Sequence, residues 1–215
     1  MNREWSELNA KAKSKLKKAT FSEGISTLME LRSQLSDEML SWKSTLKKED
    51  FSAIPYINAE GYHSKTVAYS LWHIFRIEDI VLSTLIKNEE QVFFKGDHCK
   101  KINSPIITTG NELVKMEIAE FSRKLDIDAL YSYIWEVKSA TEDWLSGTQY
   151  SDLKRRFDES DKERIRLTNT VSTDENSAWL IDYWCGKDIK GLISMPFSRH
   201  WIMHVETCLR IIRKL

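Results

Sequence analysis

Ser70-Leu-Trp-His-Ile-Phe-Arg-Ile-Glu-Asp79 lies inside a run in which Val67, Leu71, Ile74, Phe75, Ile77, Ile80, Val81, Leu85 and Ile86 leave few polar positions. A helix of that composition is buried on more than one side, which makes it a central element of a helical domain. The run is expected to start at His63 or Ser64, after a connector from Tyr56 to Ser64 with Pro55, Asn58 and Gly61 as breakers, and to end near Lys87. It carries His73 in its middle, and a histidine in such a helix needs a hydrogen-bond partner or a metal.

On the N-terminal side, Ile25, Leu28, Met29, Leu31, Leu35, Met39, Leu40, Trp42 and Leu46 recur near helical spacing. Ser22 is the expected N-cap and Phe51-Ser-Ala-Ile-Pro55 the end of this helix. Residues Glu4 to Lys18 read as a lysine-rich helix with few apolar anchors, either a docked arm or a frayed one. The chain is therefore divided into a basic helical extension over 1–20 and a main domain over 21–215.

Beyond Lys87, the stretch Asn88 to Gly110 lacks periodicity and reads as irregular. Thr108-Thr-Gly-Asn111 is an N-cap cluster, from which a helix is expected through about Leu125. A further helix follows from Ile127 to Leu145, with Leu130, Ile134, Val137, Thr141 and Trp144 on one stripe and Gly147 as its stop. Thr148 to Thr173 is charged and suggests short surface helices anchored by Phe157, Ile165 and Leu167. Aromatics gather in Ala178-Trp-Leu-Ile-Asp-Tyr-Trp-Cys-Gly186, and a final helix spans Pro196 to Leu215 with the proline in its first turn. The expected fold is an all-α four-helix bundle with extra short helices.

Composition narrows the function. The 215 residues fit one large domain, and the scarcity of Gly and Pro agrees with helix. Lys plus Arg number 32 and Asp plus Glu 32, so nothing global points to nucleic acid or to a membrane as partner. There is no apolar run of eighteen residues and no signal core at the N-terminus, as expected for a soluble cytoplasmic protein. Cys99, Cys185 and Cys208 are widely spaced and read as reduced thiols. No GxSxG, P-loop, GxGxxG, HExxH or EF-hand pattern occurs, and the adjacent carboxylates Glu78 and Asp79 point in different directions on a helix.

His200-Trp-Ile-Met-His204 places two imidazoles one turn apart on the final helix, a two-ligand clamp for a divalent ion. His73 is the expected third ligand from a facing helix, which leaves a coordination position for water or substrate. Tyr69, Ser70 and Arg76 fall within one turn of His73; Arg76 is a candidate for an anionic substrate group and Tyr69 for a proton or hydrogen bond. Cys208 continues the i+4 series, but at ~1.5 Å per residue it lies roughly 12 Å along the axis from His200, so it reads as a packed thiol. His63 and His98, near connectors, read as surface residues.

Leu71-Trp-His-Ile-Phe-Arg-Ile-Glu-Asp79 and Met195-Pro-Phe-Ser-Arg-His-Trp-Ile-Met-His204 resemble the two histidine segments of the DinB-like superfamily. Ile107-Thr-Thr-Gly-Asn-Glu112 and Trp179-Leu-Ile-Asp-Tyr-Trp184 are similar to stretches of a subgroup of its members, so the likeness spans roughly Phe21 to Leu215. The resemblance implies an up-down-down-up four-helix bundle, a divalent metal (zinc, nickel or iron) on His73, His200 and His204, and often a homodimer. Some members resemble thiol-dependent S-transferases or isomerases that use bacillithiol, mycothiol or glutathione, and many others have no assigned reaction. The function expected is a metal-dependent enzyme acting on a small molecule and activating a low-molecular-weight thiol. The alternatives are a metal-dependent hydrolase and a non-catalytic metal-binding or stress-response bundle. The basic extension and the charged segment Lys154 to Arg166 are less familiar in that family.

Overall fold

The computed structural model describes residues 2–59 and 63–215, and among them all regular structure is helical. Gly61 of the expected connector lies outside the described residues. The first helices are α1 (Arg3–Lys15), α2 (Phe21–Thr45), α3 (Val67–Asp79), α4 (Val92–Lys95), α5 (His98–Lys101) and α6 (Met116–Lys124). They are followed by α7 (Ile127–Gly147), α8 (Glu159–Leu167), α9 (Glu175–Cys185), α10 (Ile189–Ile193) and α11 (Arg199–Ile212).

Helix α3 is buried along its whole length, as its composition dictates. Its N-cap is Thr66 rather than His63 or Ser64: the Thr66 side chain accepts from the Tyr69 amide and shares a 2.6 Å hydrogen bond with Ser122 Oγ of α6. The helix continues as a π-helical segment, Ile80–Lys87, which Asn88 closes in the left-handed conformation. It is one of four long helices that pack in pairs. Lys43 pairs with Asp128 at 2.9 Å, Tyr131 Oη donates to the Met39 carbonyl at 2.7 Å and Arg32 reaches Glu142 at 3.3 Å, so α2 and α7 run antiparallel. Trp201 Nε1 donates to Glu78 at 2.8 Å, and His204 meets His73 one turn earlier on α3, so α3 and α11 are antiparallel as well. The extension docks as well. Trp5, Ala12 and Leu16 are buried, and the end of α1 passes so close to Gly24 that a Cβ there would stand 3.0 Å from the Lys15 backbone.

Several expectations are corrected. The Thr108–Asn111 cluster caps no helix; α6 begins at Met116, and the cluster belongs to a loop held against α3. Pro196 precedes α11, which begins at Arg199. The stretch after Lys87 makes two single-turn helices, α4 and α5, whose Phe93 and Ile102 neighbour are fully buried. His98 is consequently not a surface residue: it is buried, with Nε2 3.0 Å from Glu136 and its ring against Tyr133. In the charged segment Ile165 and Leu153 are the buried anchors, whereas Leu167 is 74% exposed. Among the described residues no helix is long and apolar enough to cross a membrane.

Candidate metal centre

His73 projects from the middle of α3, and His200 and His204 from the first turns of α11. The His73 ring centroid lies 5.0 Å from that of His200 and 4.7 Å from that of His204, and the two α11 rings are 4.6 Å apart. One ring nitrogen from each falls within 4.8 Å of the other two, so the three imidazoles form a group able to hold a metal ion. The antiparallel contact explains why a single residue on α3 suffices. The i, i+4 pair on α11 presents two rings to one turn of α3, and that turn carries His73.

The protonation of the three rings suits the same purpose. His73 Nδ1 lies 2.8 Å from the Thr109 carbonyl, which can only accept, so Nδ1 carries the proton and Nε2 keeps its lone pair. Burial pushes His73 down to about 4, with the Thr109 hydrogen bond opposing and the Lys65 charge adding to the shift. Burial, reinforced by the neighbouring histidines, holds His200 and His204 well below the ordinary histidine value. All three are therefore neutral near pH 7, the form that ligates. Nδ1 of His200 and Nδ1 of His204 are buried without a hydrogen-bond partner among the described residues. Orphaned polar atoms of this kind, on rings that already converge, fit the donor set of a divalent cation.

The loop from Ile107 to Gly110 is fastened to α3 by four successive carbonyls. Arg76 donates to Ile107 O at 2.8 Å, Trp72 Nε1 to Thr108 O at 3.2 Å, His73 Nδ1 to Thr109 O at 2.8 Å and Tyr69 Oη to Gly110 O at 3.0 Å. Residues 69, 72, 73 and 76 share one helix face, so a single face holds the whole strap. Gly110 takes a positive φ of 77° at its end, and a Cβ there would stand 3.0 Å from the Tyr69 ring.

This arrangement redefines the two residues expected to act on substrate. Arg76 is fully buried, and its remaining donors go to Asp79 at 3.2 Å, Tyr133 Oη at 3.1 Å and Gln91 Oε1 at 2.8 Å. Every N–H of the guanidinium is engaged, so it is not available to an anionic substrate group. Tyr69 stacks on His73 with ring centroids 5.5 Å apart at 11°, and burial pushes its phenol above the ordinary tyrosine value. With its hydroxyl donated to Gly110, Tyr69 orients His73 and the strap. Ser70 Oγ donates to Thr66 O at 2.9 Å. Cys208 stands outside the histidine group as a buried free thiol, pushed up to about 12 by burial. His63 lies at the outer face of α11 beside Arg210, away from the centre.

A cavity of about 180 Å³ opens beside His73 and His200, walled by Trp179, Leu180, Tyr183 and Trp184 of α9 and reached by Asn111 and Met195. Glu112 ties the strap to this wall: it bonds Thr108 and accepts from Ser177 Oγ of α9 at 3.3 Å. Arg32 grips Glu78 through two bonds of 2.8 and 3.1 Å and donates to the Phe197 carbonyl at 3.0 Å, while Glu78 also accepts from Trp201. Arg32 lies 4.1 Å over the Trp201 ring, so this buried network flanks His200 and fixes the first turn of α11. Sequence reasoning missed Thr109, Asn111 and Arg32. Gly110 was the available signal for the strap, since a glycine among Thr and Asn invites a positive φ. Comparison with known protein families finds no match, and comparison with curated proteins finds no significant relative.

Proposed function

We propose that this protein is a divalent-metal-dependent enzyme whose ion, zinc, nickel or iron(II), sits on His73, His200 and His204. The observation that carries the reading is the convergence of three buried, neutral imidazoles beside a cavity. Its resemblance to the DinB-like superfamily gains support from the helix pairings. Antiparallel α2–α7 and α3–α11 pairs fit an up-down-down-up bundle if α3 and α7 are parallel. In keeping with that, Leu130 and Ile134 share one apolar cluster with Val67 to Phe75, and Leu145 another with Ile80 to Ile86.

When bound, the ion supplies the Lewis acidity that lowers the pKa of a thiol or water in the open position. Three neutral ligands leave the charge of a divalent ion uncompensated, which favours an anion as the remaining ligand. Among the described residues the cavity lining contains no carboxylate to serve as general base. A low-molecular-weight thiol ionises with less help than water, so S-transfer to a small electrophile is the reaction this environment suits best. The family resemblance adds a homodimer, which light scattering measures directly.

Protein purified without a nickel column and analysed for metals should hold close to one ion per chain, lost in His73→Ala and His204→Ala. An ion-free wild type that takes up no zinc, nickel or iron sinks the enzyme reading and leaves a metal-free bundle. Conjugation of monochlorobimane with a panel of thiols should require the bound ion. Metal-loaded protein that conjugates none of them moves the assignment to a hydrolase.

A further inference from the structure

Trp179-Leu-Ile-Asp-Tyr-Trp184 gives one wall of the cavity beside His73 and His200, and Asp182 points out of that wall to pair with Lys162 at 2.8 Å. Opposite stand Ile77 of α3 and Met195. Among the described residues no Lys, Arg, Asp or Glu lines the cavity. Three charges in the neighbourhood have partners elsewhere: Glu112 with Thr108 and Ser177, Lys187 on the Tyr183 ring at 4.0 Å, and Lys65, whose charge reaches His73, over the Tyr69 ring at 4.7 Å. Asn111 contributes a side-chain amide to the lining, and its Oδ1 already accepts from Thr109 Oγ1 at 2.7 Å, which leaves its NH₂ as a neutral donor. Trp179 is 51% exposed, a large apolar ring left in water at the cavity wall.

We propose that this cavity is a subsite for an uncharged aromatic or compact apolar group of the substrate, which packs against Trp179 and Tyr183. Its volume of about 180 Å³ matches one substituted ring, since apolar cavities of about 150 Å³ take up benzene. In the metal-free protein a carboxylate or ammonium placed there would lose its hydration and meet no counter-charge among the described residues of the lining. Position beside His73 and His200 makes the subsite part of the enzyme reading above: the group it holds is the electrophile's, and the reacting atom faces the histidines.

The test uses full-length, metal-free protein with ¹⁵N-labelled tryptophan and three probes of one shape and different charge: benzyl alcohol, benzoate and benzylamine. Benzyl alcohol is expected to shift the Trp179 and Trp184 indole N–H signals, and the two ions to bind at least about tenfold more weakly. Trp179→Ala, at a half-exposed position that the fold tolerates, should weaken benzyl alcohol binding about tenfold with the circular dichroism unchanged. Equal binding of the three probes, no binding, or binding indifferent to Trp179→Ala overturns the proposal. Cobalt(II) titration, followed by visible bands that His204→Ala removes, reports on the metal centre separately. Probe binding without cobalt binding therefore retains the subsite and defeats the metal reading, and cobalt binding without probe binding does the reverse.

Discussion

Tyr69 shows how a residue chosen for its chemistry turns out to act through geometry. Its hydroxyl is donated to Gly110 and its ring lies flat on His73. Tyr69→Phe removes one hydrogen bond and leaves a buried carbonyl unpaired, a cost of about 1–3 kcal/mol in urea unfolding, with metal stoichiometry retained. Loss of all turnover in a Tyr69→Phe variant that still binds metal normally would restore the proton-donor role. At the next position along the strap, Gly110→Ala meets both the positive φ and the Tyr69 ring. It should cost about 1–2 kcal/mol. Because the Thr109 carbonyl that orients His73 moves with it, metal affinity should fall roughly 10–100-fold in a competitive chelator titration. Unchanged affinity in that variant would separate the strap from the centre.

At the scale of elements, α3 and the Ile107–Gly110 strap behave as one unit, with Arg76 as the fastening. Arg76→Met leaves the Asp79 carboxylate buried with Tyr133 and Ser83 as its remaining side-chain partners. Such a loss typically costs about 3–5 kcal/mol, whereas a simultaneous Asp79→Asn should recover part of it; a double-mutant cycle with purely additive effects would show the pair to be uncoupled. Helix α1 is equally structural. Trp5 is 5% exposed against α2 and its neighbours, so Trp5→Ala should destabilise by about 3–5 kcal/mol in chemical denaturation. A freely frayed arm, the other expectation for a lysine-rich segment, predicts no change.

For the molecule as a whole, the three histidines link stability to pH. In metal-free protein His73 has its pKa lowered from 6.5 to about 4, and His200 and His204 are lowered too. Between those values the unfolded chain binds more protons than the native one. Stability is therefore complete above 6.5 and declines as the pH falls toward 4, by ~3 kcal/mol for His73 alone at ~1.36 kcal/mol per pKa unit. Denaturation midpoints taken between pH 7 and 4 should show this decline, and His73→Gln should make it shallower, with the contributions of His200 and His204 remaining. A midpoint as high at pH 4 as at pH 7 contradicts the burial of neutral imidazoles.

The helical class and the three candidate ligands were legible in the sequence because both rest on local periodicity. Apolar residues at helical spacing report a buried face, and His200 and His204 at i, i+4 must share one side of α11 whatever surrounds it. The chain order also named His73, since few other positions on so apolar a helix carry a ligand. What the sequence left open is where hydrogen-bond donors find acceptors distant in the chain. Arg76 and Tyr69 look like substrate contacts on an isolated helix, and only the return of Ile107 to Gly110 across α3 engages them. His98 looked like a connector residue until α5 docked on α7. The cavity wall on α9 and the Arg32–Glu78 grip on the first turn of α11 join segments far apart in sequence, and no local pattern specifies such pairings; they arise when packing excludes water and each buried polar group must find a partner.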